Sequence, residues 1–593
     1  PGAQNWSFGS WAGFEGDGLW RSSNEFVSPP SLFAAQVRQR WGGEATARLA
    51  LMPRAREESS NPTLERAQEL AAASHQPAPS LKDFIQAAPA REPIHAEPGE
   101  ARPVSSLAPD SGAGHDGAAL EPTNRIAIVN GWITCNGRLV IGGTAPVPWW
   151  RGTIRPAEAA AAPPAVTRFV PGRVGAGFTD DLGEVADFLV KNGKAALDHN
   201  YGLWYDRRRD DHERVRRMDG DVLPPFYEQP FARSGRGTAW DGLSQYDLTK
   251  YNRWYWSRLR QFAERCEARG LILFHQNYFQ HHLLEAGAHW ADFPWRAANN
   301  INQTGFPEPP PYAGDKRIFQ AELFYDTRHP VRRELHRAYI RQCLDNFASC
   351  ANVIQFTSAE FTGPLHFMEF WLDTVAEWER EHSASGLAQG SPLIALSATK
   401  DVQDAILADP RRNAVVDVVD FRYWWRTPKG EFAPPGGRNL APRQFERQWR
   451  GGRPGDTDLA GMAAEYRAKY PAKALLCDFD AAGWAWLCAG GSLPRLPQTT
   501  DPALLDAVPR MQPSPATPPG RWTLCEPGRQ WLVCLDREAP AELDLTAEPG
   551  AFQLRRVDSA TGRTTPAGRI NGGARVSLPK ENGTTTILWL VKE

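Results

Sequence analysis

The chain has no long hydrophobic run and no excess of charge of one sign. No apolar segment approaches the roughly 20 residues that a membrane-spanning helix needs, so no membrane span is predicted. Lysine and arginine number 67 against 69 aspartates and glutamates, which gives a net charge of −2. An overall field that would attract nucleic acid is therefore absent, and no nucleic-acid partner is expected.

Sequence motifs of metal and nucleotide sites are also missing. The eight cysteines show neither CxxC nor zinc-finger spacing, and HExxH does not occur. No strand-like run is followed by a GxGxxG or GxxxxGKS/T loop, which argues against the common nucleotide-binding folds. We therefore predict no metal site and no cofactor. The cysteines are interpreted as mostly buried thiols, with one or two disulfides expected only if the protein is exported.

No start methionine or signal peptide opens the chain, which begins "PGAQNWSFGS" as a processed or truncated product would. Tryptophan, in contrast, is abundant, with 23 residues. This number exceeds what core packing requires, and exposed indole faces stack on sugar rings. The composition thus favours a carbohydrate ligand and leaves the oligomeric state open.

Composition and periodicity divide the chain into five predicted segments. Residues 1–45 form an aromatic segment that is too short for a domain, and 46–124 form an Ala/Pro-rich linker. Asn-Gly pairs at 130–131 and 136–137 predict hairpins in a small β cap over 125–165. Residues 166–518 alternate strand-like and helical runs, and 519–593 carry short alternating strands typical of a β-sandwich.

The alternation over 166–518 predicts the fold class. Eight strand-like runs, from "VTRFVPG" to the weaker "SLPRLP", alternate with amphipathic helices, as in a (β/α)8 barrel. An open doubly wound sheet is the competing interpretation, but the phosphate loop that usually accompanies it is missing. We predict an α/β protein: a (β/α)8 TIM barrel with a small N-terminal β cap and a C-terminal antiparallel β-sandwich.

Active sites of such barrels lie at the carboxyl ends of the strands, so polar and aromatic residues there are candidate ligands of a substrate. Acids and aromatics together are typical of a glycosidase cleft. The candidate substrate-binding residues are Asp198, His199, Asn200, Trp204, Tyr205, His275, Asn277, Tyr278, Trp295, Asp420, Arg422 and Trp424.

Glycoside hydrolysis needs a carboxylic acid that protonates the leaving oxygen and a second carboxylate. Glu360, in "TSAEFTGP", ends the predicted fourth strand and is the candidate general acid, a salt-bridged structural glutamate being the alternative. Asp478 and Asp480 follow the seventh strand, where their even spacing would put both on one face. Either could be the second carboxylate, although Asp480 could equally cap the next helix. Asp198 and Asp420 remain alternative bases.

Histidines crowd the stretch "HQNYFQHHLLEAGAHWADFPW" at residues 275–295. The spacing of His275, His281 and His282 matches no common zinc pattern. His275 is better placed to hydrogen-bond a sugar hydroxyl, and His281, His282 and His289 to line or close the cleft; a loop with internally satisfied histidines is the alternative.

Arginines near predicted strand ends suggest a carboxylated substrate such as a uronic acid, because a guanidinium binds a carboxylate in a forked geometry. Pairing with neighbouring acids, such as Asp206, Asp210 and Asp211, is the alternative. These arginines are Arg207, Arg208, Arg209, Arg296, Arg422 and Arg426.

Several long stretches carry a resemblance to a known family. "DHNYGLWYDRRRDDHERV", "WDGLSQYDLTKYN", "TGFPEPPPYAGDKRIF", "SAEFTGPLHF" and "LSATKDVQDAILADP" resemble an incompletely characterised bacterial family of glycoside-hydrolase-like (β/α)8 proteins found in polysaccharide-degrading systems. "RSSNEFVSPPSLFAAQVRQR" is similar to the end of a pectate-lyase-like β-helix module that precedes the barrel in larger members. The tail resembles the β-sandwich that follows apiosidase-like barrels.

This resemblance implies an extracellular or periplasmic protein of a polysaccharide-degrading system. Together with the acids, aromatics and arginines described above, it leads us to predict a glycoside hydrolase acting on a complex, pectin-like polysaccharide or its oligosaccharides. In the wider retaining superfamily the acid/base glutamate ends the fourth strand, which Glu360 matches. The nucleophile there is a glutamate ending the seventh strand, whereas this chain offers only aspartates in "CDFD". An inverting enzyme, a non-catalytic carbohydrate-binding barrel and a polysaccharide lyase are the alternatives.

Overall fold

The computed structural model describes thirteen stretches of the chain. These are residues 124–146, 181–200, 229–239, 243–279, 290, 293–308, 318–359, 363–385, 392–427, 429–433, 454–514, 518–580 and 584–593. The predicted aromatic segment and all but the last residue of the predicted linker lie outside them. None of the described helices is both long and apolar enough to cross a membrane.

Seven parallel strands form the central sheet, and they neighbour one another in chain order. The strands are β4 (Gly143–Pro146), β5 (Lys194–Asn200), β8 (Ile272–Phe279), β9 (Val353–Ala359), β10 (Leu393–Ser397), β11 (Val418–Asp420) and β14 (Ala474–Leu476). The intervening helices are α1 (Leu182–Lys191), α2 (Arg253–Glu267), α3 (Ile318–Phe324), α4 (Pro330–Asn346), α5 (Leu365–Ser385), α6 (Lys400–Ala408), α7 (Pro410–Val415) and α8 (Asp456–Lys469). This alternation confirms the predicted (β/α) barrel fold.

The first and last positions of the ring differ from the sequence prediction. Barrel strand one is β4, which lies inside the predicted β cap, whereas "VTRFVPG" is outside the described residues. The predicted eighth strand, 492–497, is not a strand, because Pro494 and Pro497 lack the N–H groups of a ladder. It still links the two edge strands: the Ser492 amide donates to Leu475 O at 2.8 Å and the Gly142 amide to Pro494 O at 3.0 Å.

Alternation along the strands separates a lumen-facing layer from a helix-facing layer. The lumen contains apolar side chains, from alanine to phenylalanine, that pack into one cluster. Among its members from the barrel strands are Ala196, Ile272, Phe274, Ile354, Phe356, Ala395, Val418, Ala474 and Leu476. On the other face of the strands, Leu273 packs against Trp256 and Leu259 of α2 in the helix-facing layer. Helix α2 begins after its N-cap, Asn252. The lumen is therefore a packed core below the mouth.

A three-stranded antiparallel cap closes the amino-terminal end of the barrel. It consists of β1 (Ile126–Val129), β2 (Trp132–Cys135) and β3 (Arg138–Leu139). Both Asn-Gly pairs form the predicted two-residue turns, with positive φ at Asn130 (52°) and Gly131 (78°) in the first. Ile126 and Ile133 join the lumen cluster. The cap thus plugs the barrel opposite the mouth.

Two short antiparallel pairs and two helices complete the barrel region. The pairs join β6 (Phe231–Arg233) with β7 (Tyr246–Tyr251) and β12 (Trp425–Arg426) with β13 (Phe432–Ala433). The helices after β14 are α9 (Trp484–Cys488) and α10 (Pro502–Ala507).

The C-terminal region is an antiparallel β structure packed on the barrel. Six strands neighbour one another in the order β15-β16-β17-β22-β19-β20, and β18 pairs with β21. Their bounds are β15 (Gln512–Pro513), β16 (Arg521–Glu526), β17 (Gln530–Leu535), β18 (Glu542–Asp544), β19 (Ala551–Val557), β20 (Thr564–Asn571), β21 (Arg575–Ser577) and β22 (Thr586–Lys592). Val533 and Leu588 pack with Leu543 of β18 in one core, while Leu532 and Trp589, on the opposite face, belong to the barrel core.

Candidate active site

A layer of polar side chains lies directly above the apolar lumen. Each member stands two positions after a lumen-facing apolar residue, as strand alternation requires. The pairs are Ala196 with Asp198, Phe274 with Gln276, Ala395 with Ser397, and Val418 with Asp420. The barrel thus changes from apolar to polar in one step at the carboxyl ends of its strands.

Arg422 connects the carboxylates of this layer across the lumen. Its Nη1 pairs with Asp198 of β5, and its Nε donates to Asp420 Oδ2 at 2.9 Å. Two further donors complete the arrangement: Gln276 Nε2 to Asp198 Oδ1 and Ser397 Oγ to Asp420 Oδ2, each at 2.8 Å. The second and sixth barrel strands are therefore joined through one guanidinium.

Burial and charge oppose each other at Asp420. Its carboxyl group is 1% exposed, and burial raises its pKa to about 6, although Arg422 and the Ser397 hydroxyl favour the charged form. Burial lowers the pKa of the Arg422 guanidinium, but Asp198 and Asp420 outweigh it and raise that pKa well above its usual value. Asp420 Oδ1 is buried without a hydrogen-bond partner in the described part of the chain. Asp420 can thus hold a proton in the weakly acidic range.

Asp478 lies at the edge of the same mouth. It continues the lumen-facing series Ala474, Leu476 beyond the end of β14. Thr144 Oγ1 donates to Asp478 Oδ1, and Arg495 Nη2 lies 3.3 Å from the same oxygen. Asp478 keeps 46% of its side chain exposed, so its carboxylate is both fixed and accessible.

Asp480 does not share the face of Asp478, contrary to the sequence prediction. Strand β14 ends at Leu476, and Asp478, which Thr144 contacts, still faces the mouth, but the two-residue alternation does not continue to Asp480. The Asp480 side chain is 98% exposed and pairs with Arg495 Nη1. It is also not the N-cap of α9, a position that Gly483 occupies.

Glu360 lies outside the described residues, and Ala359 directly before it ends β9. Its role as the general acid therefore stays a prediction. Trp204, Tyr205 and the side chain of Asn200 lie outside the described residues as well, as do His281, His282 and His289.

His199, His275 and Asn277 face the helices instead of the mouth, which corrects their predicted placement. Strand alternation puts odd-numbered residues of β5 and β8 opposite the lumen-facing even-numbered ones. The His275 ring lies 4.8 Å from the Phe347 ring and 6.1 Å from the Trp256 ring, measured between centroids, and its Nδ1 is 2.9 Å from Gln355 Oε1. Burial lowers the pKa of His275 to about 4 and that of His199 well below its usual value.

The three remaining aromatic candidates are enclosed. Tyr278 OH is 2.9 Å from His336 Nδ1, and Trp295 stacks on the His336 ring with a centroid distance of 4.5 Å. Trp424 donates from Nε1 to Gln403 Oε1 at 3.3 Å. All three side chains are buried among other rings, so in this structure they stabilise the barrel and offer no surface for stacking on a sugar.

The described arginines predicted to bind a uronic acid pair with acids of the protein. Arg296 pairs with Glu308 and Arg426 with Glu465, while Arg422 joins Asp198 and Asp420. Ion pairing with acids of the protein was the alternative interpretation. The partners are not the expected Asp206, Asp210 and Asp211, however, but Glu308, Glu465, Asp198 and Asp420. Arg207, Arg208 and Arg209 lie outside the described residues.

The residues selected from the sequence did not include four residues of this site: Thr144, Gln276, Ser397 and Arg495. Gln276 and Ser397 could have been found by adding two positions to each lumen-facing apolar residue. Thr144 and Arg495 carried no such signal, because the first lay in the predicted cap and the second in the weakest predicted strand.

Residues 18–511 match the model of a family described as Domain of unknown function (DUF6298). The chain belongs to this family. The match spans the described barrel strands from β4 to β14 and ends one residue before β15. Among curated protein sequences, none matches this chain.

Solved structures of glycoside hydrolases show a distant likeness to this DUF6298 chain. A glycoside hydrolase family 5 protein from Bacteroides vulgatus is 10% identical, with coverage of 79% of this chain and 94% of its own and a TM-score of 0.39. A GH30 endoxylanase from Clostridium papyrosolvens is 11% identical over 77% and 97%, with a TM-score of 0.29. Endo-glycoceramidase II from Rhodococcus sp. is 14% identical over 80% and 100%, with a TM-score of 0.28. The strand order, and not these scores, establishes the barrel.

Proposed function

We propose that the protein is a glycoside hydrolase that acts on a complex polysaccharide or its oligosaccharides with two carboxyl groups. The observation that supports this most is the meeting of Asp198, Asp420 and Asp478, from three barrel strands, at the carboxyl end of the barrel. Such a site supplies the acids that glycosidic hydrolysis requires. Within the described residues, Asp478 combines fixed geometry with an accessible carboxylate.

Glu360 serves as the general acid in this proposal. In the sequence Glu360 follows Ile354, Phe356 and Ser358 at steps of two residues. Asp478 follows Ala474 and Leu476 of β14 at the same steps. The parallel between the fourth and seventh strands supports pairing Glu360 with Asp478 in preference to Asp480.

Asp478 serves as the second carboxylate. Thr144 and Arg495 both donate to its Oδ1, and among the described residues none donates to Oδ2. Oδ2 can therefore face a water or an anomeric carbon. Carboxyl groups about 5 Å apart would give retention and about 6.5–9.5 Å inversion. Aspartate is one methylene shorter than glutamate, so we propose inversion.

Asp198 and Asp420 serve as positioning residues for Arg422 in this arrangement. Both oxygens of Asp198 are engaged, one by Arg422 and the other by Gln276, and Asp420 Oδ2 accepts from both Arg422 and Ser397. Asp198 and Asp420 hold the Arg422 guanidinium in place across the lumen, where it forms the floor of the mouth.

The finer substrate proposal is a uronic-acid-containing, pectin-like glycan. Arg495 is the described arginine at the accessible edge of the mouth, where it contacts Asp478 and Asp480. A substrate carboxylate could exchange with the exposed Asp480 on this guanidinium. We also propose an extracellular or periplasmic location, since polymeric glycans of this kind are met there.

Incubation with matched panels of neutral and uronic-acid glycans tests both levels of the proposal. New reducing ends, lost in Glu360→Gln, are expected, with the larger yield on uronic-acid glycans. If reducing ends are released from neutral glycans alone, the proposal of a hydrolase stands, but the proposal of a pectin-like substrate is wrong. Binding without any product would indicate a carbohydrate-binding barrel, and products that absorb in the ultraviolet would indicate a lyase.

A further inference from the structure

Two cysteines meet where the C-terminal sheet packs against the barrel. Cys488 is the last residue of α9, the short helix after β14, and Cys534 lies in β17 of the C-terminal sheet. Both side chains are 0% exposed and belong to the same apolar core. This interface is separate from the candidate active site, because none of the carboxylates at the mouth, Asp198, Asp420 and Asp478, lies in α9 or β17.

The register of β17 directs Cys534 towards the barrel. Leu532 and Cys534 lie on one face of the strand and join the barrel core, whereas Val533 and Leu535 face the core of the C-terminal region. Cys534 pairs with Ile587 and Trp522 in the neighbouring strands, which fixes its direction. The short helix α9 contacts β17 directly, and the Cys534 thiol is a neighbour of the Cys488 thiol there.

We infer that Cys488 and Cys534 form a disulfide when the protein folds in an oxidising compartment, and that this bond joins the C-terminal sheet covalently to the barrel. The inference is independent of the proposed glycosidase function. It rests on two facing thiols held by two elements that are separately fixed, one by the barrel and one by the sheet.

The reaction needs a small-molecule or protein disulfide as the oxidant. One cysteine thiolate attacks that disulfide, forms a mixed disulfide and releases the first thiol of the oxidant. The second cysteine then attacks the mixed disulfide at the protein sulfur, forms the Cys488–Cys534 bond and releases the second thiol. Two protons and two electrons pass from the cysteines to the oxidant, so the exchange balances.

Burial decides when this exchange can happen. In the folded chain neither thiol is accessible, and burial together with the neighbouring Cys534 raises the pKa of Cys488 well above its usual value. The bond must therefore form before the interface closes. Once formed, it is protected from reductants in the native state.

Thiol counting tests this inference on the full chain. One preparation is exported to the bacterial periplasm and another is made in the reducing cytoplasm. Both are unfolded in urea and alkylated without reductant. Of the eight cysteines, six should be alkylated in the exported protein, because two form the bond, and eight in the cytoplasmic one. Peptide mapping should recover Cys488 linked to Cys534.

Single variants distinguish this bond from any other. In exported Cys488→Ser, all seven remaining cysteines should be alkylated, whereas the control Cys266→Ser, a buried thiol of α2, should retain the bond and give five. Eight alkylated cysteines in the exported parent protein, or a linked peptide without Cys488 and Cys534, would overturn the inference.

Discussion

Arg422 and Asp198 form an ion pair across the barrel lumen, from the end of the sixth strand to the second. The pair lies directly above Phe356, whose ring is 5.4 Å from the Arg422 guanidinium carbon. Asp420 contacts the same guanidinium from its own strand. A single cation therefore contacts two carboxyl groups at the floor of the mouth, one of which, Asp420, is almost fully desolvated.

Replacing Arg422 by methionine should destabilise the protein by about 3–5 kcal/mol, because two carboxylates lose their cation in a desolvated site. Urea unfolding of the purified variant measures this loss. The control is Arg426→Met: the Arg426 side chain is 36% exposed against 10% for Arg422, so the loss of its pair with Glu465 should cost about 1 kcal/mol or less. Equal losses in the two variants would contradict a special role of the cross-lumen pair.

Two glycines of the cap offer a matched test of turn geometry. A Cβ at Gly131 would lie 1.8 Å from Arg467 Nη1 and 2.5 Å from Pro471 O, whereas, apart from the two adjacent residues, no other described residue lies within 4 Å of a Cβ at Gly137. Arg467 cannot withdraw easily, because it donates to Gly131 O and Asn130 O and lies over the Trp132 ring.

Gly137→Ala should therefore cost about 1 kcal/mol, the ordinary strain of a positive φ. Gly131→Ala should cost about 3 kcal/mol or more, since the collision adds to the same strain. Thermal or urea unfolding of both variants provides the comparison. If the two losses are alike, the close packing of the cap on the Arg467 side chain is refuted.

Asp417, before β11, should make stability depend on pH. Burial raises the pKa of its carboxyl to about 6, against the opposing effects of the Ile394 amide and Lys473. An acid with a raised folded pKa contributes stability below its unfolded pKa of about 4, and this contribution is lost as pH rises to about 6. Burial and the charge of Asp417 raise the pKa of the neighbouring Glu379 to about 7. Glu379 therefore extends the pH range over which stability is lost upwards to about 7.

Asp417→Asn should accordingly gain stability relative to the parent protein between pH 4 and pH 7, by up to about 3 kcal/mol. Urea unfolding at four pH values measures the difference. Asp187→Asn is the control of opposite sign, because the Arg269 hydrogen bond lowers the pKa of Asp187. That variant should lose relative stability as pH rises. A pH-independent difference for Asp417→Asn would disprove its proposed titration.

Sequence patterns predicted the elements that depend on local chemistry. Asn-Gly pairs fixed the cap turns at Asn130 and Asn136, and apolar runs identified six of the seven described barrel strands. The first strand, "GTAP", was missed because it carries no β-branched or aromatic pair and depends on its neighbour β5 for its conformation.

Side-chain direction was harder to predict than strand position. His275 and Asn277 end an apolar run as Gln276 does, yet alternation sends them to the helices and Gln276 to the mouth. Their direction becomes predictable only when one lumen-facing residue of the strand is known. The pairing of Arg422 with Asp198 could not be derived at all, since it joins residues 224 positions apart through the curvature of the barrel.

Glu360→Gln tests the proposed general acid. The amide keeps the size and hydrogen bonding of the side chain but cannot give up a proton, so turnover on a glycan substrate should fall about 100-fold or more. The control is Glu465→Gln, a glutamate of α8 that pairs with Arg426. Both variants should unfold at the same urea concentration as the parent protein within error. Unchanged turnover in Glu360→Gln would remove this residue from the mechanism.

Asp478 and Asp480 allow a controlled test of the second carboxylate, because both contact Arg495 and differ by two positions. Asp478→Asn should lower turnover about 100-fold or more, since an amide can neither attack the anomeric carbon nor activate water. Asp480→Asn should leave turnover nearly unchanged, because that side chain is 98% exposed and solvated. Steady-state rates on the same glycan decide between them. If Asp480→Asn is the inactive variant, the exposed aspartate must turn into the mouth when substrate binds, and Asp478 is then only a structural partner of Thr144.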